Sequence, residues 1–352
     1  MNFYNTAPLA LGLIVFSFLI TSALVIPFID LLYKFKMLRR KEGDFRGKKE
    51  SLFDKLHDKK AGTPIGGGIL LITVVSVMFP FLFSFISNMG VFIHTSFKLN
   101  YELLVIFFTF LGFGAIGLLD DLVKIFGKPK PNIYGSVFGL SKTQKFGLQW
   151  ILAFAISFML YFLLGIQILH IPILEITINL GPLYLLFSAF IIVFFANAFN
   201  ITDGLDGLSS GLLMIYLFSY VIIAASNLDT PLFIFISLWL GSIIAFLYFN
   251  VWPARIFLGD AGALSFGAMI AVIGLVIGNV TTLFIIGGLF VIEALSSLIQ
   301  ILGRKFLKRK IFPIAPIHHT FLWLGWEEPK IVMRAWLAGL MLAIFGLWLA
   351  TI

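Results

Sequence analysis

The sequence predicts an all-α polytopic membrane protein with about ten transmembrane helices. Hydrophobic residues make up 60% of the 352-residue chain and charged residues only 12%, whereas about a quarter of the residues in an ordinary soluble domain are charged. Mean hydropathy is +1.04, and apolar runs long enough to cross a bilayer as a helix recur along the chain. These observations favour one helical bundle, a single domain over residues 1–352, over two soluble domains.

Ten apolar runs predict the membrane helices in chain order, each near the length of about twenty residues that a bilayer requires. They span roughly residues 9–32, 66–87, 102–119, 147–167, 181–199, 208–226, 231–249, 262–279, 281–303 and 331–351. An even number of spans puts both chain termini on the same side of the membrane.

The loops on the two sides of this predicted bundle differ in charge. Those that follow odd-numbered helices contain 24 of the 25 Lys and Arg residues, and only Lys98 lies opposite. Because basic residues concentrate in cytoplasmic loops, the odd loops are predicted to be cytoplasmic and both termini non-cytoplasmic. Membrane topology therefore accounts for the net charge of +8. We expect contact with the lipid bilayer and no nucleic-acid partner.

Acidic residues and histidines concentrate at the predicted cytoplasmic ends of the helices. Helix caps and Gly-rich turns use Asp and Asn for purely structural reasons, but the opposite loops, near Asn227 and Asn279, are short and sparsely charged. The concentration on one side therefore indicates a functional site. Its candidates are Asp120 and Asp121 after helix three, Asn197, Asn200, Asp203 and Asp206 around helix five, Asp260 before helix eight, and His318 and His319 before helix ten.

The adjacent carboxylates of Asp120 and Asp121 repel each other, so a buried pair needs a cation, a basic partner or a shared proton. Mg²⁺ is the natural cation, because it binds one or two carboxylates together with substrate phosphates and water. Zinc fits the chain poorly, since there is no Cys and the two neighbouring histidines point in different directions. The sequence therefore predicts a magnesium-dependent site.

Two further features favour phosphate binding. Lys142 and Lys145, together with Lys59 and Lys60, supply cations near helix starts. The run Gly66-Gly67-Gly68 offers backbone amides as anion donors. The alternatives are that the lysines only set the topology and that the glycines serve close helix packing.

Glu293 stands apart, because it falls midway through predicted helix nine. A carboxylate inside the membrane is costly and functional by default. Protonation, a partner inside the bundle and a break in the helix are the three arrangements that would accommodate it.

Six motifs resemble those of the polyprenyl-phosphate hexosamine-1-phosphate transferase family. The resemblance runs from about Lys59 to the C-terminus, and EEPKIVMRAW favours the muramoyl-pentapeptide branch over the N-acetylglucosamine-1-phosphate branch. The chain departs from the family pattern at Thr320, where the family has a third His, and at Leu322, where it has Glu. The motifs are HDKKAGTPIGGG, GAIGLLDDLVK, GLSKTQKFGLQ, NAFNITDGLDGL, FNVWPARIFLGDAGALSFGA and APIHHTFLWLGWEEPKIVMRAW.

The resemblance implies roles for the polar residues. Asp120, Asp121 and Asp260 occupy the positions of the family's essential acids, with Asp260 as the magnesium ligand. His318 and His319 match two members of its histidine motif. The family binds the nucleotide and its phosphates at positions that correspond to Asn200, Asp203, Asp206, Asn250 and Phe257.

The resemblance also implies the reaction and its setting. The family is expected to act in the bacterial inner membrane, with ten helices, a bent ninth helix, a cytoplasm-facing cleft and, in many members, a homodimer. The expected reaction transfers phospho-MurNAc-pentapeptide from UDP-MurNAc-pentapeptide to undecaprenyl phosphate and releases UMP. Direct attack by the lipid phosphate and a covalent aspartyl-phosphate route both remain open.

Rival functions differ in what they require of the chain. Transfer of another sugar phosphate, such as GlcNAc-1-phosphate, would use the same lipid and the same chemistry. A secondary transporter would place ionisable groups near the bilayer midplane on interrupted helices, a pattern that Glu293 alone fits. A structural scaffold would need no catalytic acids.

Overall fold

The computed structural model describes residues 3–39, 60–127, 140–171 and 176–351. Lys59 and most of the long hydrophilic loop after the first helix lie outside the described residues. The described residues form twelve α-helices and two short strands. The helices are α1 Phe3–Lys34, α2 Gly67–Asn88, α3 Leu99–Phe126, α4 Lys142–Phe158, α5 Leu183–Thr202, α6 Leu208–Ser226, α7 Thr230–Asn250, α8 Gly259–Ile277, α9 Val280–Ile286, α10 Gly288–Phe306, α11 Ile317–Trp323 and α12 Glu328–Ala350.

The helices confirm the predicted all-α polytopic membrane fold. Within the described residues, nine helices are long and apolar enough to cross a membrane, counting α4 with its π-helical extension Met159–Leu163. Helices α9 and α10 meet at an angle of 77°, and they bring the number of spans to ten if the pair is counted as one. This bend confirms the bent ninth helix that the family resemblance implied. The side of the membrane on which the termini lie stays a prediction.

The structure departs from the predicted helices in three places. Helix α3 continues to Phe126, beyond the predicted end at residue 119, because Asp120 and Asp121 find buried partners instead of ending the helix. The residues before the last span contain the short helix α11, which carries both histidines. Strands β1 Ile168–Ile171 and β2 Ile176–Asn179 pair in antiparallel register, Ile168 opposite Asn179, where the sequence predicted only a loop between its fourth and fifth helices.

Helix α8 lies at the centre of the bundle and packs against α3, α5 and α2. Its core positions are almost wholly buried, and Phe266 stacks on Phe110 of α3 and contacts Trp239 of α7. Gly117 of α3 lies so close to α8 that a Cβ atom there would come within 2.1 Å of the Asp260 carbonyl oxygen. Small residues at helix contacts permit such close approach. The end of α3 is thereby held against the start of α8.

The Gly66-Gly67-Gly68 run connects α2 to the same region by backbone hydrogen bonds. Gly66 N and Gly67 N donate to the Phe257 carbonyl, at 3.1 and 2.9 Å, and Gly68 N donates to the Leu258 carbonyl at 2.8 Å. The prediction that these amides bind an anion is therefore wrong, since all three are used inside the fold. The packing alternative is confirmed, because a Cβ on Gly68 would lie 2.2 Å from the Gly262 nitrogen.

Candidate active site

Two aspartates and two lysines form a charged cluster where α3 ends and α8 begins. Lys145 Nζ donates to Asp120 Oδ2 at 2.9 Å and to Asp260 Oδ2 at 2.6 Å. Lys124 Nζ lies 3.0 Å from Asp120 Oδ2 and also contacts Asp260 Oδ2. The side chains of Asp120 and Asp260 are only 2% and 14% exposed, so their charges need nearby compensation. The two ammonium groups supply it.

Local sequence explains how these side chains meet. Asp120 and Lys124 are four residues apart on α3, which places them on one face of the helix. Lys145 lies in the first turn of α4, whose start is fixed by a capping box between Ser141 and Gln144. The amide of Leu140, just before that cap, donates to Asp120 Oδ1 at 2.8 Å. The start of α4 is thus attached to the end of α3.

Asp121 has a different environment from its neighbour. Its Oδ1 accepts from the Asp260 amide and its Oδ2 from the Ala261 amide, both at 3.0 Å. These are among the amides of the first turn of α8, which have no partners inside their own helix. Asp121, which is 3% exposed, therefore caps α8 from a neighbouring helix and fixes Asp260 opposite the end of α3.

Helix α5 contributes two asparagines on successive turns. Asn200 Nδ2 donates to Asp260 Oδ1 at 3.0 Å, which adds a neutral donor to the charged cluster. Asn197 Nδ2 donates to Gln149 Oε1 of α4 at 2.7 Å. Asn200 therefore belongs to the cluster, whereas Asn197 joins α5 to α4 one turn away.

A second charged cluster joins the segment before α2, the loop after α5 and the start of α12. Lys60 Nζ lies 2.5 Å from both Asp206 Oδ1 and Glu328 Oε1. Glu328 Oε1 also accepts from the Asp206 amide at 2.7 Å, and Asp206 Oδ2 accepts from the Ala254 amide at 2.9 Å. The indole ring of Trp252 lies 5.5 Å from Lys60 Nζ. This cluster holds the predicted residues Lys60 and Asp206.

Asp203 follows the last residue of α5 and accepts a 2.5 Å hydrogen bond from Ser209 Oγ. Burial raises the pKa of the Asp203 carboxyl to about 6, and the nearby charge of Asp260 acts in the same direction. The Asp203 carboxyl is therefore influenced by Asp260 of one charged cluster and by Asp206 of the other, and its pKa lies close to neutral pH.

Asn250 and Phe257 flank the loop that joins α7 to α8. Asn250 is 3% exposed; it accepts from Ser210 Oγ at 2.6 Å and donates to the Ile256 carbonyl at 2.9 Å. The Phe257 carbonyl accepts hydrogen bonds from the Gly66 and Gly67 amides, and the Phe257 ring lies 5.3 Å from the Arg39 guanidinium carbon. Both residues shape the loop before Asp260. Their predicted contact with a nucleotide stays a prediction.

His318 and His319 lie on α11, with ring centroids 4.2 Å apart. Both are buried, at 1% and 7% exposure. His318 Nδ1 lies 2.9 Å from Glu293 Oε2 of α10, and its ring packs against Gly204 in the loop between Asp203 and Asp206. The histidines are therefore placed next to the loop that follows α5.

Comparison with known proteins identifies the family. A family model described as glycosyl transferase family 4 matches residues 103–278, which is half of the chain and includes most of α3 and all of α5 and α8. The chain belongs to glycosyl transferase family 4. A phospho-N-acetylmuramoyl-pentapeptide-transferase from Geobacillus sp. is 35% identical over 340 residues, 96% of each chain. Enzymes of the same name from Oceanobacillus iheyensis and Bacillus subtilis are each 34% identical, over 96% and 93% of both chains.

Membership of family 4 makes the chain a sugar-phosphate transferase, and the matched region contains all three predicted catalytic acids. Sequence reasoning missed two members of the site. In the sequence, Lys124 is counted only among the basic residues that set the topology, although its spacing of four residues from Asp120 is a usable signal. Glu328 had no such signal, because only the fold brings it to Lys60 and Asp206.

The family 4 site fits a metal ion that is held jointly with a substrate. Among the described residues, no group of three or more His, Asp or Glu side chains could hold a metal alone. Magnesium, however, needs only one or two protein carboxylates when phosphates and water complete its shell. Asp120 and Asp260 contact the same two lysines, so carboxylate oxygens that could bind a metal ion already lie close together there.

Proposed function

We propose that the protein transfers phospho-MurNAc-pentapeptide from UDP-MurNAc-pentapeptide to undecaprenyl phosphate, giving lipid I and UMP in peptidoglycan biosynthesis. The relatives that match over nearly the whole chain carry the name phospho-N-acetylmuramoyl-pentapeptide-transferase. The observation that carries the proposal is the cluster of Asp120, Asp260, Lys124 and Lys145 at the ends of membrane helices. A site at a helix end can meet a polar nucleotide sugar and the phosphate of a lipid together.

The lysines suit the charge changes of phosphoryl transfer. That reaction asks a protein chiefly to position the reactants and to stabilise charge on the phosphate oxygens. Lys124 and Lys145 hold two ammonium groups between carboxylates, with side chains 40% and 19% exposed. Both remain reachable from solvent, so they contact the diphosphate of the nucleotide sugar by exchanging a carboxylate for a phosphate oxygen.

Asp120 is the better placed of the two neighbouring acids to act on the lipid phosphate. Both oxygens of Asp121 accept amides at the start of α8, whereas Asp120 Oδ2 faces the lysines of the cluster. In the proposed step, Asp120 takes or orients the proton of the lipid phosphate, and a lipid phosphate oxygen forms a bond to the sugar-linked phosphorus. The bond from that phosphorus to the bridging oxygen breaks, and UMP leaves with the oxygen.

Asp260 would hold Mg²⁺ together with phosphate oxygens of the substrate. When bound, the ion supplies positive charge to the diphosphate and to the UMP that leaves. Asn200 donates to Asp260 Oδ1 and keeps that carboxylate oriented, and the Asp121 cap fixes the backbone beneath it. Asp260 is thus held from both sides before any ligand arrives.

The proposed orientation places this site at the cytoplasmic face of the bacterial inner membrane. The support is the charge asymmetry of the loops, because the site lies at the ends of helices joined by the Lys- and Arg-rich segments. The multi-pass helical bundle gives the polyprenyl chain an apolar surface beside the site. Assembly as a homodimer is part of the same proposal by family resemblance alone.

The decisive experiment is UMP release by the purified protein in detergent. The assay contains undecaprenyl phosphate and Mg²⁺, and it compares UDP-MurNAc-pentapeptide with UDP-GlcNAc. We expect release with the muramoyl substrate only, and a loss of about 100-fold or more in Asp260→Asn. Release with UDP-GlcNAc instead would move the protein to the sister branch, and no release with either would refute the proposal.

A further inference from the structure

Glu293 is a buried carboxylate that the proposed reaction leaves without a task. It lies on α10, past the 77° bend, and its side chain is 10% exposed. A carboxylate at such a position is costly unless a partner compensates it. Its partner here is His318, whose side chain is 1% exposed.

The contact between the two side chains fixes the imidazole ring. Glu293 Oε2 lies 2.9 Å from His318 Nδ1. With Glu293 ionised, the carboxylate can only accept, so this contact requires a proton on His318 Nδ1. A carboxylate that holds one ring nitrogen in this way sets the orientation of the ring and the role of the other nitrogen.

Backbone contacts hold the two elements in register. Ser296 Oγ donates to the Glu293 carbonyl at 2.8 Å and accepts from the Ile317 amide at 3.1 Å. Ile317 is the first residue of α11, and His318 follows it. The Ser296 hydrogen bonds therefore hold α10 and α11 together where Glu293 and His318 meet, and both of these side chains are buried.

The other ring nitrogen of His318 faces the loop that follows α5. A Cβ atom on Gly204 would lie 2.5 Å from Nε2, so the absence of a side chain at Gly204 leaves room for the ring. Nε2 is buried and has no hydrogen-bond partner among the described residues. A buried polar atom without a partner is costly, which makes it a candidate for contact with a ligand. Gly204 lies between Asp203 and Asp206, both candidate substrate residues.

We propose that Glu293 is a positioning residue, which holds His318 so that Nε2 contacts a phosphate oxygen of the nucleotide sugar at the Asp203–Asp206 loop. This inference rests on the proposed function. A phosphate oxygen is an acceptor, so the contact needs a proton on Nε2 as well as on Nδ1. The Glu293 carboxylate offsets the charge of the resulting imidazolium, as the buried acid does in other carboxylate–histidine pairs. Because Nε2 is buried beside Gly204, the contact requires a shift of the Asp203–Asp206 loop when the nucleotide sugar binds.

The first test is turnover. We expect Glu293→Gln to lower kcat about 10- to 100-fold, the loss typical of carboxylates that orient a functional histidine, and Glu293→Asp to restore part of it. Glu102→Gln is the control, because Glu102 is another buried carboxylate on a membrane helix but contacts Thr95, far along α3 from the Asp120 end. We expect that variant to retain its kcat. Equal losses of kcat and Tm in Glu293→Gln and Glu102→Gln would overturn the proposal in favour of a purely structural role.

The second test does not depend on turnover. The ¹⁵N NMR spectrum of histidine-labelled protein contains five histidines, and His318→Gln identifies the His318 signals. We expect protonated Nδ1 in the wild type and a changed protonation pattern in Glu293→Gln, and we expect UDP-MurNAc-pentapeptide to shift the Nε2 signal. Unchanged signals in both comparisons would overturn the inference. If the wild type released no UMP, the proposed function would fail while the spectrum of the apoprotein still decided whether Glu293 sets the state of His318.

Discussion

Asp120 and Asp121 are neighbours in sequence, yet they face different partners. Successive residues on a helix are about 100° apart, so one carboxylate points to the lysines and the other to the first turn of α8. Asp120 Oδ2 lies 2.9 Å from Lys145 Nζ. Asp121 uses both oxygens on backbone amides. One residue is therefore suited to chemistry and the other to holding the helix that carries Asp260.

This difference predicts unlike effects for the same substitution at the two positions. Asp121→Asn places an amide group, with its two N–H donors, against the amides of α8, and we expect it to cost about 1–2 kcal/mol of stability, as the loss of a helix cap does. Asp120→Asn should abolish UMP release and lower Tm less than Asp121→Asn does, because Asp260 still pairs with both lysines. Thermal unfolding in detergent and the UMP assay separate the two variants. A larger fall of Tm in Asp120→Asn than in Asp121→Asn would contradict the assignment.

A pH dependence follows from Asp203. Burial raises the pKa of its carboxyl from the ordinary 3.8 to about 6, so the folded protein binds this proton more tightly than the unfolded chain does. The contribution of Asp203 to the free energy of unfolding is therefore present below about pH 4 and is lost as the pH rises through about 6. We expect Asp203→Asn to gain thermal stability relative to wild type between pH 4.5 and about 7. The matched control is Asp30→Asn, which removes an exposed carboxylate from α1 and should show no such gain.

At the scale of elements, the site depends on how closely α3 approaches α8. We expect Gly117→Ala to lower both Tm and turnover, because its Cβ would lie 2.1 Å from the Asp260 carbonyl and would push the two helices apart. Gly147→Ala in α4 is the control, since nothing lies within 4 Å of a Cβ there. That variant should be neutral or stabilised by up to about 1 kcal/mol. Retained turnover in Gly117→Ala would show that the spacing of the helices is not critical.

Elements with a strong apolar signal could be predicted from the sequence, and those without one could not. The membrane helices follow from runs of apolar residues, which is why their number and order are correct. Strands β1 and β2 fall in the predicted loop between residues 167 and 181, and each has only four residues, too few for a clear strand pattern in the sequence. Helix α11 is only seven residues long and contains polar His318 and His319.

The same division holds for the site. Asp120, Asp121 and Asp260 were recognisable, because clustered acids at helix ends on one side of a membrane protein are unusual. Glu328 was not, since its contact with Lys60 joins residues 268 positions apart. Thr320 replaces a histidine of the family pattern, and its hydroxyl donates to the Ile314 carbonyl, a contact that stabilises the turn before α11. Such long-range and loop contacts follow from tertiary packing.

At the scale of the whole molecule, the prediction concerns orientation. The chain contains no Cys, so single cysteines introduced at exposed positions are unique labels. We expect a membrane-impermeant maleimide to label Ser226→Cys and Thr351→Cys in intact cells, because Ser226 ends the sixth span and Thr351 follows the tenth. Arg309→Cys, in the basic segment after the bent span, should react only after the membrane is permeabilised. The reverse pattern would invert the molecule and place the proposed site outside the cytoplasm.

The paired lysines of the charged cluster also bear on product release. Lys124 and Lys145 already have carboxylate partners, so a phosphate that binds them replaces existing contacts and adds few new ones. The net affinity for a nucleotide is then smaller than the strength of its individual contacts. In the proposed reaction, both lysines would return to Asp120 and Asp260 when UMP departs, which would offset part of the lost attraction. The two carboxylates would then compete with UMP for the lysines and limit inhibition by this product.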